Sequence, residues 1–252
     1  MAHCKITEKT KYRKGEINLN LKNLKELVKP FGDNSDLPYF RPFVSNGEQS
    51  NYDIFLVGIN PAIPISIKDM DIDKYVNLLF KYDDFYKEYQ KIREDVGKTT
   101  ISRTRKGTVN FVNELRMKTG KAILETNVIP YPTSNIKELK KIPDGVKKYA
   151  MELFYSVLIE YTPGVIIVFS KTSLKYLVKI MFEQKIIESK VSTKKPIKVI
   201  EDSANPFIQF SYLNEKKGAI FVCRHLMYYG DKGNSFSKFR EKVINYINSG
   251  GK

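Results

Sequence analysis

Three polar segments of this sequence each follow an apolar run and carry residues that can do chemistry. Asn60 lies in the segment 58–62, Asn127 ends a second apolar run, and His225 follows a third. An amide offers a donor and an acceptor in one plane, which suits holding a water molecule or reading the polar edge of a flat ligand, and a histidine can donate a hydrogen bond. If the three runs are parallel strands, these segments lie together beyond the carboxyl ends of the strands.

The elements that must position these residues alternate between strand and helix. Apolar runs predict buried strands at 54–59, 122–129 and 164–170, and helical spacing predicts helices at 71–94, 107–117, 145–161 and 172–184 and after Asn234 or Ser235. Of the strand-like runs 197–200, 207–213 and 219–224, one is expected to be an added edge strand. The alternation predicts an α/β three-layer sandwich with a central, mainly parallel four- to five-stranded sheet flanked by helices.

The length of 252 residues and the 42% hydrophobic content favour one domain over two. We expect a single domain over 1–252, in which a short helix and a turn-rich loop over 1–50 precede an α/β core over 51–250.

The formal charge of +15 favours a polyanion, DNA in particular, as the partner, although a lysine-rich coding bias would produce the same excess. Two cysteines, the lack of any membrane-length apolar run and the polar start predict a cytoplasmic protein outside the membrane. We expect a monomer.

Known cofactor motifs fail in this chain. The segment Gly97-Lys98-Thr99 resembles the end of a phosphate loop but lacks the leading glycine, and the alternating aspartates at 69, 71 and 73 lack the later residues of a calcium loop. These aspartates are interpreted as surface charge and helix-start residues. The only histidines are His3 and His225, so we expect neither a cofactor nor a metal.

In their order and context, the three polar segments resemble the uracil-DNA glycosylase superfamily. Residues 58–62 match the Gly-x-Asn-Pro-Gly motif of its mismatch-specific and single-strand-selective branches, except that Ala62 replaces the last glycine. Asn127 matches the base-reading asparagine of the family, and His225 is what remains of its His-Pro-Ser motif. The resemblance spans about 53 to 248.

The resemblance implies an enzyme that flips a damaged or modified base out of DNA and hydrolyses its N-glycosidic bond. Asn60 would hold the attacking water, and His225 would donate a hydrogen bond to the leaving base. Further substrate contacts would come from Gly58, Ile59, Ala62 and Asn127. Because no motif places a lysine for Schiff-base chemistry, we expect a monofunctional glycosylase that leaves an abasic site, in DNA repair or in attack on foreign DNA.

Contacts to DNA are expected from the residues around the third segment and from the end of one strand. These are Lys171, Arg224, Leu226, Met227 and Tyr228. The apolar members could fill the stack that a flipped base vacates, or could instead be buried in the core. At Lys171, the position at the strand end suggests a phosphate contact, although helix capping by Ser170 or Thr172 is the plainer interpretation.

In uracil-specific members of the family, a tyrosine after the motif proline blocks substituents at the five-position of the base. Ala62 leaves room there, so the hypothesis is a five-substituted pyrimidine, including bulky ones as in phage DNA. The aromatic residue that stacks on the base is expected among Tyr39, Phe40, Phe43 and Phe80.

Two other classes of function stay open. The chain could be a non-catalytic DNA-binding module that keeps the fold, or an unrelated α/β enzyme that acts on nucleotides. DNA binding through several phosphates should weaken steeply as salt rises, whereas a nucleotide enzyme should have little affinity for DNA.

Overall fold

A six-stranded mixed sheet organises the computed structural model, which describes residues 21–32, 34–47, 51–189 and 191–251. Its four central strands are parallel, in the spatial order β3 (Ile123–Asn127), β2 (Ile54–Gly58), β4 (Val165–Phe169) and β6 (Lys217–Cys223). Two antiparallel strands, β1 (Phe43–Val44) and β5 (Ile208–Ser211), form the edges beside β3 and β6. The α/β class and the mainly parallel sheet are confirmed.

The number of strands was predicted wrongly, because the sheet has six strands and not four or five. The missing strand is β1, whose two residues are too few to show an alternating pattern inside a turn-rich segment. The run 207–213 does contain the added edge strand, β5.

Nine α-helices occur among the described residues, together with 3-10 turns at Leu226–Tyr228 and Asn234–Phe236. The helices are α1 (Leu21–Val28), α2 (Ile72–Leu79), α3 (Tyr82–Asp95), α4 (Arg103–Thr119), α5 (Ile136–Lys141), α6 (Asp144–Tyr161), α7 (Lys171–Glu183), α8 (Ile197–Asp202) and α9 (Ser237–Asn248). None of them combines the length and the apolarity needed to cross a membrane.

Helices cover both faces of the sheet, because the strand residues alternate between two apolar clusters. Phe55 and Val57 of β2 join the cluster formed with α1, α2, α3, α6 and α7. Ile54 and Leu56 join the cluster formed with α4 and α9. The arrangement is therefore three-layered, with the sheet in the middle.

Two predicted helices have different bounds in the structure. The helix expected over 71–94 is two helices, because the backbone of Ser45 accepts from Tyr82 N and donates to the Leu79 carbonyl at the junction. Helix α4 begins at Arg103, four residues before the predicted start, because the Ser102 side chain caps it by accepting from Arg105 N.

The run 197–200 is helical and was wrongly interpreted as strand-like. Pro196 precedes α8 and fits a helix start, and the helix buries Ile200 and Glu201 on one side. The last helix begins at Ser237, after the 3-10 turn at Asn234–Phe236, so its predicted cap was placed slightly too early. Asp71 caps α2 by accepting from Lys74 N, which confirms the interpretation of that aspartate as a helix-start residue.

Candidate active site

The three polar segments meet at the carboxyl edge of the four parallel strands. Gly58 is paired with Asn127 across β2 and β3, and Phe169 is paired with Cys223, two residues before His225, across β4 and β6. The chain leaves β2 towards β3 and leaves β4 in the opposite direction towards β6. Loops that diverge in this way open a crevice between the strand ends, the usual ligand site of an open α/β sheet.

Asn127 lies half-buried against the backbone of Gly58. A methyl group on Gly58 would lie 2.5 Å from Asn127 Oδ1 and 2.9 Å from the Phe169 ring, so this close approach requires glycine. The amide of Asn127 makes no hydrogen bond with another described residue, although a half-buried polar group ordinarily finds a partner. Both its donor and its acceptor are therefore available to a ligand.

The amide of Asn60 is held on one side only. Its Nδ2 donates to Thr133 Oγ1 at 2.8 Å and to the Pro61 carbonyl at 3.1 Å. Its Oδ1 has no partner among the described residues. Asn60 therefore presents an acceptor, and its donors face the protein.

The turn from Asn60 to Ile63 is fixed from behind by a buried arginine. Arg41 donates from Nη1 to the Ala62 carbonyl at 3.3 Å and from Nη2 to the Ile63 carbonyl at 3.0 Å, and Tyr89 Oη donates to the Ala62 carbonyl at 2.9 Å. Ile63 has a φ of 61°, which is strained for a β-branched residue. The hydrogen bonds thus hold a turn that the sequence alone would not favour, with the Ala62 side chain exposed.

His225 is oriented by the backbone that follows it. Its Nδ1 accepts from Met227 N at 3.3 Å, so Nε2 carries the ring proton in the neutral form. Burial lowers the pKa of His225. A neutral imidazole with a free Nε2–H is a hydrogen-bond donor that needs no prior protonation.

Phe169 is a site residue that the sequence analysis missed. Its ring lies 2.9 Å from the place that a methyl group on Gly58 would take. The ring also packs edge-on against the His225 ring, with 5.7 Å between centroids and 86° between planes. Only polar residues at strand ends indicate chemistry in a sequence, so an apolar residue at the end of β4 gives no signal. Phe169 supplies an apolar wall to the crevice.

The four aromatic residues predicted to stack on a base belong to the core. Tyr39, Phe40, Phe43 and Phe80 are all buried in the cluster on the opposite face of the sheet from Phe169. The prediction is wrong because three of these aromatic residues lie in the turn-rich segment and Phe80 lies at the end of α2, and all four side chains pack into the core on one face of the sheet.

The 3-10 turn at Leu226–Tyr228 carries an exposed apolar tip. Leu226 is fully buried, so its predicted contact with DNA is corrected, but Met227 is 38% and Tyr228 61% exposed. The turn is anchored tightly: a methyl group on Gly107 in α4 would collide with the Leu226 carbonyl oxygen. Ser235 Oγ donates to the Tyr228 carbonyl at 3.2 Å.

Arg224 is engaged inside the protein. Its Nε lies 3.0 Å from Glu201 Oε1, its backbone N donates to Glu201 Oε2 at 2.7 Å, and its Nη2 donates to the Ser235 carbonyl at 2.7 Å. The Glu201 side chain is 1% exposed, so Arg224 compensates a buried carboxylate. This places Arg224 as a support of the loop around the exposed tip.

Lys171 begins α7 and is exposed. Its ammonium donates to the Lys194 carbonyl at 3.1 Å. Ser170 caps the helix by accepting from Ser173 N at 3.1 Å, which confirms the capping interpretation. Ser170 has a φ of 143°, in a region that favours glycine, so the turn from β4 into α7 is strained beside the crevice.

The part of the chain that the structure describes has no cluster of three or more metal-ligating side chains. No family model and no curated protein matches this sequence significantly.

Proposed function

We propose that this chain is a monofunctional DNA glycosylase that flips out a modified pyrimidine and hydrolyses its N-glycosidic bond, leaving an abasic site. We also propose, on the three motifs, that it is a divergent member of the uracil-DNA glycosylase superfamily. One observation carries the proposal. Three polar groups without partners among the described residues, Asn60 Oδ1, the Asn127 amide and His225 Nε2, lie at or just beyond the strand ends at one carboxyl edge of the sheet.

The chemistry of glycosidic cleavage suits these groups. The sugar develops positive charge and the departing base develops negative charge as the bond breaks. His225 Nε2–H donates a hydrogen bond to a carbonyl oxygen of the leaving pyrimidine and stabilises its negative charge. Asn60 Oδ1 accepts a hydrogen bond from water and orients it towards the electrophilic sugar carbon.

Selection of the base involves Asn127 and Ala62. The Asn127 amide offers one donor and one acceptor in a plane, which matches the polar edge of a pyrimidine. Ala62 has a small exposed side chain on a turn fixed by Arg41. A turn that cannot swing inward keeps the space beside the five-position open, so five-substituted pyrimidines are the proposed substrates.

Flipping the base requires a group that replaces it in the stack. Met227 and Tyr228 are exposed on a turn whose neighbours on both sides, Leu226 and Tyr229, are buried. A rigid, exposed apolar tip beside the crevice suits insertion between bases, which costs a few kcal/mol of stacking.

Phosphate contacts have two sources at this edge. Lys171 and Arg103 are exposed in the first turns of α7 and α4, and Arg103 makes no ion pair with a described residue. The net charge of +15 adds a general attraction to DNA. Arg224 would act indirectly, through the loop that it supports.

Hot-alkali cleavage of modified DNA tests the proposal. Duplex and single-stranded oligonucleotides carry uracil, 5-hydroxymethyluracil, a thymine mismatch, or plain or glucosylated 5-hydroxymethylcytosine, and the reaction contains a chelator. The expected result is a strand break at one or more of the modified bases that appears only after alkali. Salt-sensitive DNA binding without any break would instead favour the non-catalytic module.

A further inference from the structure

We propose that Thr133 is a positioning residue that fixes the orientation of the Asn60 amide. The inference rests on the proposed function, in which Asn60 orients water. It comes from the hydrogen bonds around one hydroxyl group.

The hydroxyl of Thr133 has a single proton, and that proton is already used. Thr133 Oγ1 donates to the Asn135 carbonyl oxygen at 3.0 Å. A carbonyl oxygen can only accept, so the direction of this bond is certain. Towards Asn60, Thr133 can therefore act only as an acceptor.

The other neighbour of the Asn60 amide imposes the same requirement. The Pro61 carbonyl lies 3.1 Å from Nδ2 and is again an acceptor without a proton. If the amide were turned over, Oδ1 would face two acceptors and both hydrogen bonds would be lost. Thr133 and Pro61 together select the orientation in which Oδ1 faces away from them.

The surroundings of Thr133 make this selection rigid. Thr133 is 6% exposed, and its backbone N donates to the Pro61 carbonyl at 3.1 Å. Its acceptor, Asn135, caps α5 through its side chain and accepts from Leu139 N at its carbonyl. The hydroxyl thus connects the loop after β2 with the start of a helix that follows β3.

The consequence for catalysis concerns the reacting water. An amide turned the wrong way would present Nδ2 to the water, and a donor directs a lone pair of the water to itself instead of to the sugar. A misplaced reacting group can cost about 100-fold in rate. We expect Thr133→Val to lower the single-turnover rate by at least about tenfold with little change in DNA affinity, because Asn60 acts on the water and not on binding.

The test compares Thr133→Val with Thr133→Ser, which keeps the hydroxyl, and with Thr119→Val, which removes a hydroxyl bonded to the Leu115 carbonyl at the far end of α4. Single-turnover rates are measured on the duplex from the alkali panel that the wild type cleaves. Affinity is measured for a duplex with a tetrahydrofuran abasic analogue. The same variants are made in an Asn60→Ala background.

The positioning role predicts a slow Thr133→Val enzyme, rescue in Thr133→Ser, and no further loss from Thr133→Val once Asn60 is alanine. An equal loss in both backgrounds would show a general structural effect and overturn the inference.

A second readout does not depend on activity. The side-chain NH2 signals of Asn60, assigned in an ¹⁵N spectrum by their loss in Asn60→Ala, should shift in Thr133→Val and not in Thr133→Ser. Unchanged signals would overturn the inference whether or not the enzyme is active. A third result is a wild type that cleaves none of the panel while the Asn60 signals still shift in Thr133→Val. That result would overturn the proposed function and retain the contact between Thr133 and Asn60.

Discussion

Gly58 and Asn127 are paired across two parallel strands, with so little space that a methyl group on Gly58 would lie 2.5 Å from Asn127 Oδ1. Gly58→Ala should therefore displace the Asn127 amide or the Phe169 ring and abolish base recognition. Crowding of a packed site costs about 1–3 kcal/mol. Cleavage assays and urea unfolding measure the two effects.

The matched control for this change is Gly164→Ala. A methyl group there would have its nearest neighbour, the Lys217 carbonyl, 4.0 Å away. This variant should unfold within about 0.5 kcal/mol of the wild type and keep its activity. Full activity of Gly58→Ala would contradict the assignment of Asn127 as the base-reading residue.

The exposed tip, Met227 and Tyr228, should matter for duplex DNA more than for single strands. Replacing both by alanine removes the group that fills the stack, and a single strand has much less stacking to restore. Stability should change by less than about 1 kcal/mol, because neither side chain belongs to the buried core. The measurement is the ratio of cleavage rates on duplex and single-stranded DNA carrying the same base.

Leu213→Ala provides the control for the loss of an exposed apolar side chain. Leu213 is 89% exposed in the connection between β5 and β6. The Leu213→Ala variant should leave the ratio of duplex to single-strand cleavage rates unchanged. An equal loss on both kinds of DNA in the tip variant would argue against insertion into the stack.

The neutral form of His225 should persist to lower pH than that of an exposed histidine. Burial penalises the imidazolium and lowers the pKa of His225 below its ordinary value, about 6.5. The cleavage rate should therefore stay level as pH falls through 6.5 and decline only at lower pH. A ¹H NMR titration measures this pKa, with His225→Gln to assign the signal.

The same shift gives stability a pH dependence of known sign. Because the folded pKa lies below the unfolded pKa, the unfolded state binds the proton more readily, and stability falls as pH decreases through this interval. The free energy of unfolding of the wild type should thus decrease relative to His225→Gln as the solution is acidified from pH 7. A His225 pKa above 6.5 would contradict both expectations.

Ala62 should determine access to the five-position of the base. Ala62→Tyr places a bulky ring on the turn that Arg41 and Tyr89 hold in place, so activity on five-substituted pyrimidines should be lost while uracil is spared. Ala62→Ser, which adds one atom, is the control for substitution at an exposed position. Competition between uracil and 5-hydroxymethyluracil duplexes measures the change, and unchanged selectivity would oppose this role.

Much of the fold could be predicted from the sequence, because apolar runs and helical spacing are local signals. The strands β2, β3 and β4 and the helices α6 and α7 follow directly from such patterns. The break between α2 and α3 could not be predicted, since it depends on backbone hydrogen bonds between Ser45 and residues more than thirty positions later. The strand β1 could not be predicted either, since it depends on pairing with Glu125 and Thr126 of β3. α8 was missed because β-branched residues favour strands, whereas Pro196 and the burial of Glu201 favour a helix.

The candidate site was predictable only in its polar residues. Asn60, Asn127 and His225 follow apolar runs, so their position at strand ends could be inferred. Arg41 and Thr133 act on the turn at Asn60 from distant segments and carry no local signal. Leu226 and Tyr228 are equivalent in an apolar pattern, and only the packing of Gly107 against the turn decides which of them is buried.

The most direct measurement is mass spectrometry of the free base released from the modified-DNA panel, alongside a count of the abasic sites formed. We predict that the wild type releases at least one modified pyrimidine and forms abasic sites in equal amount, with the strand uncut until alkali is added. Asn60→Ala and His225→Ala should bind the same DNA and release far less base. DNA binding by a folded wild type without release of any base, or equal release by these variants, would contradict the proposed glycosylase site.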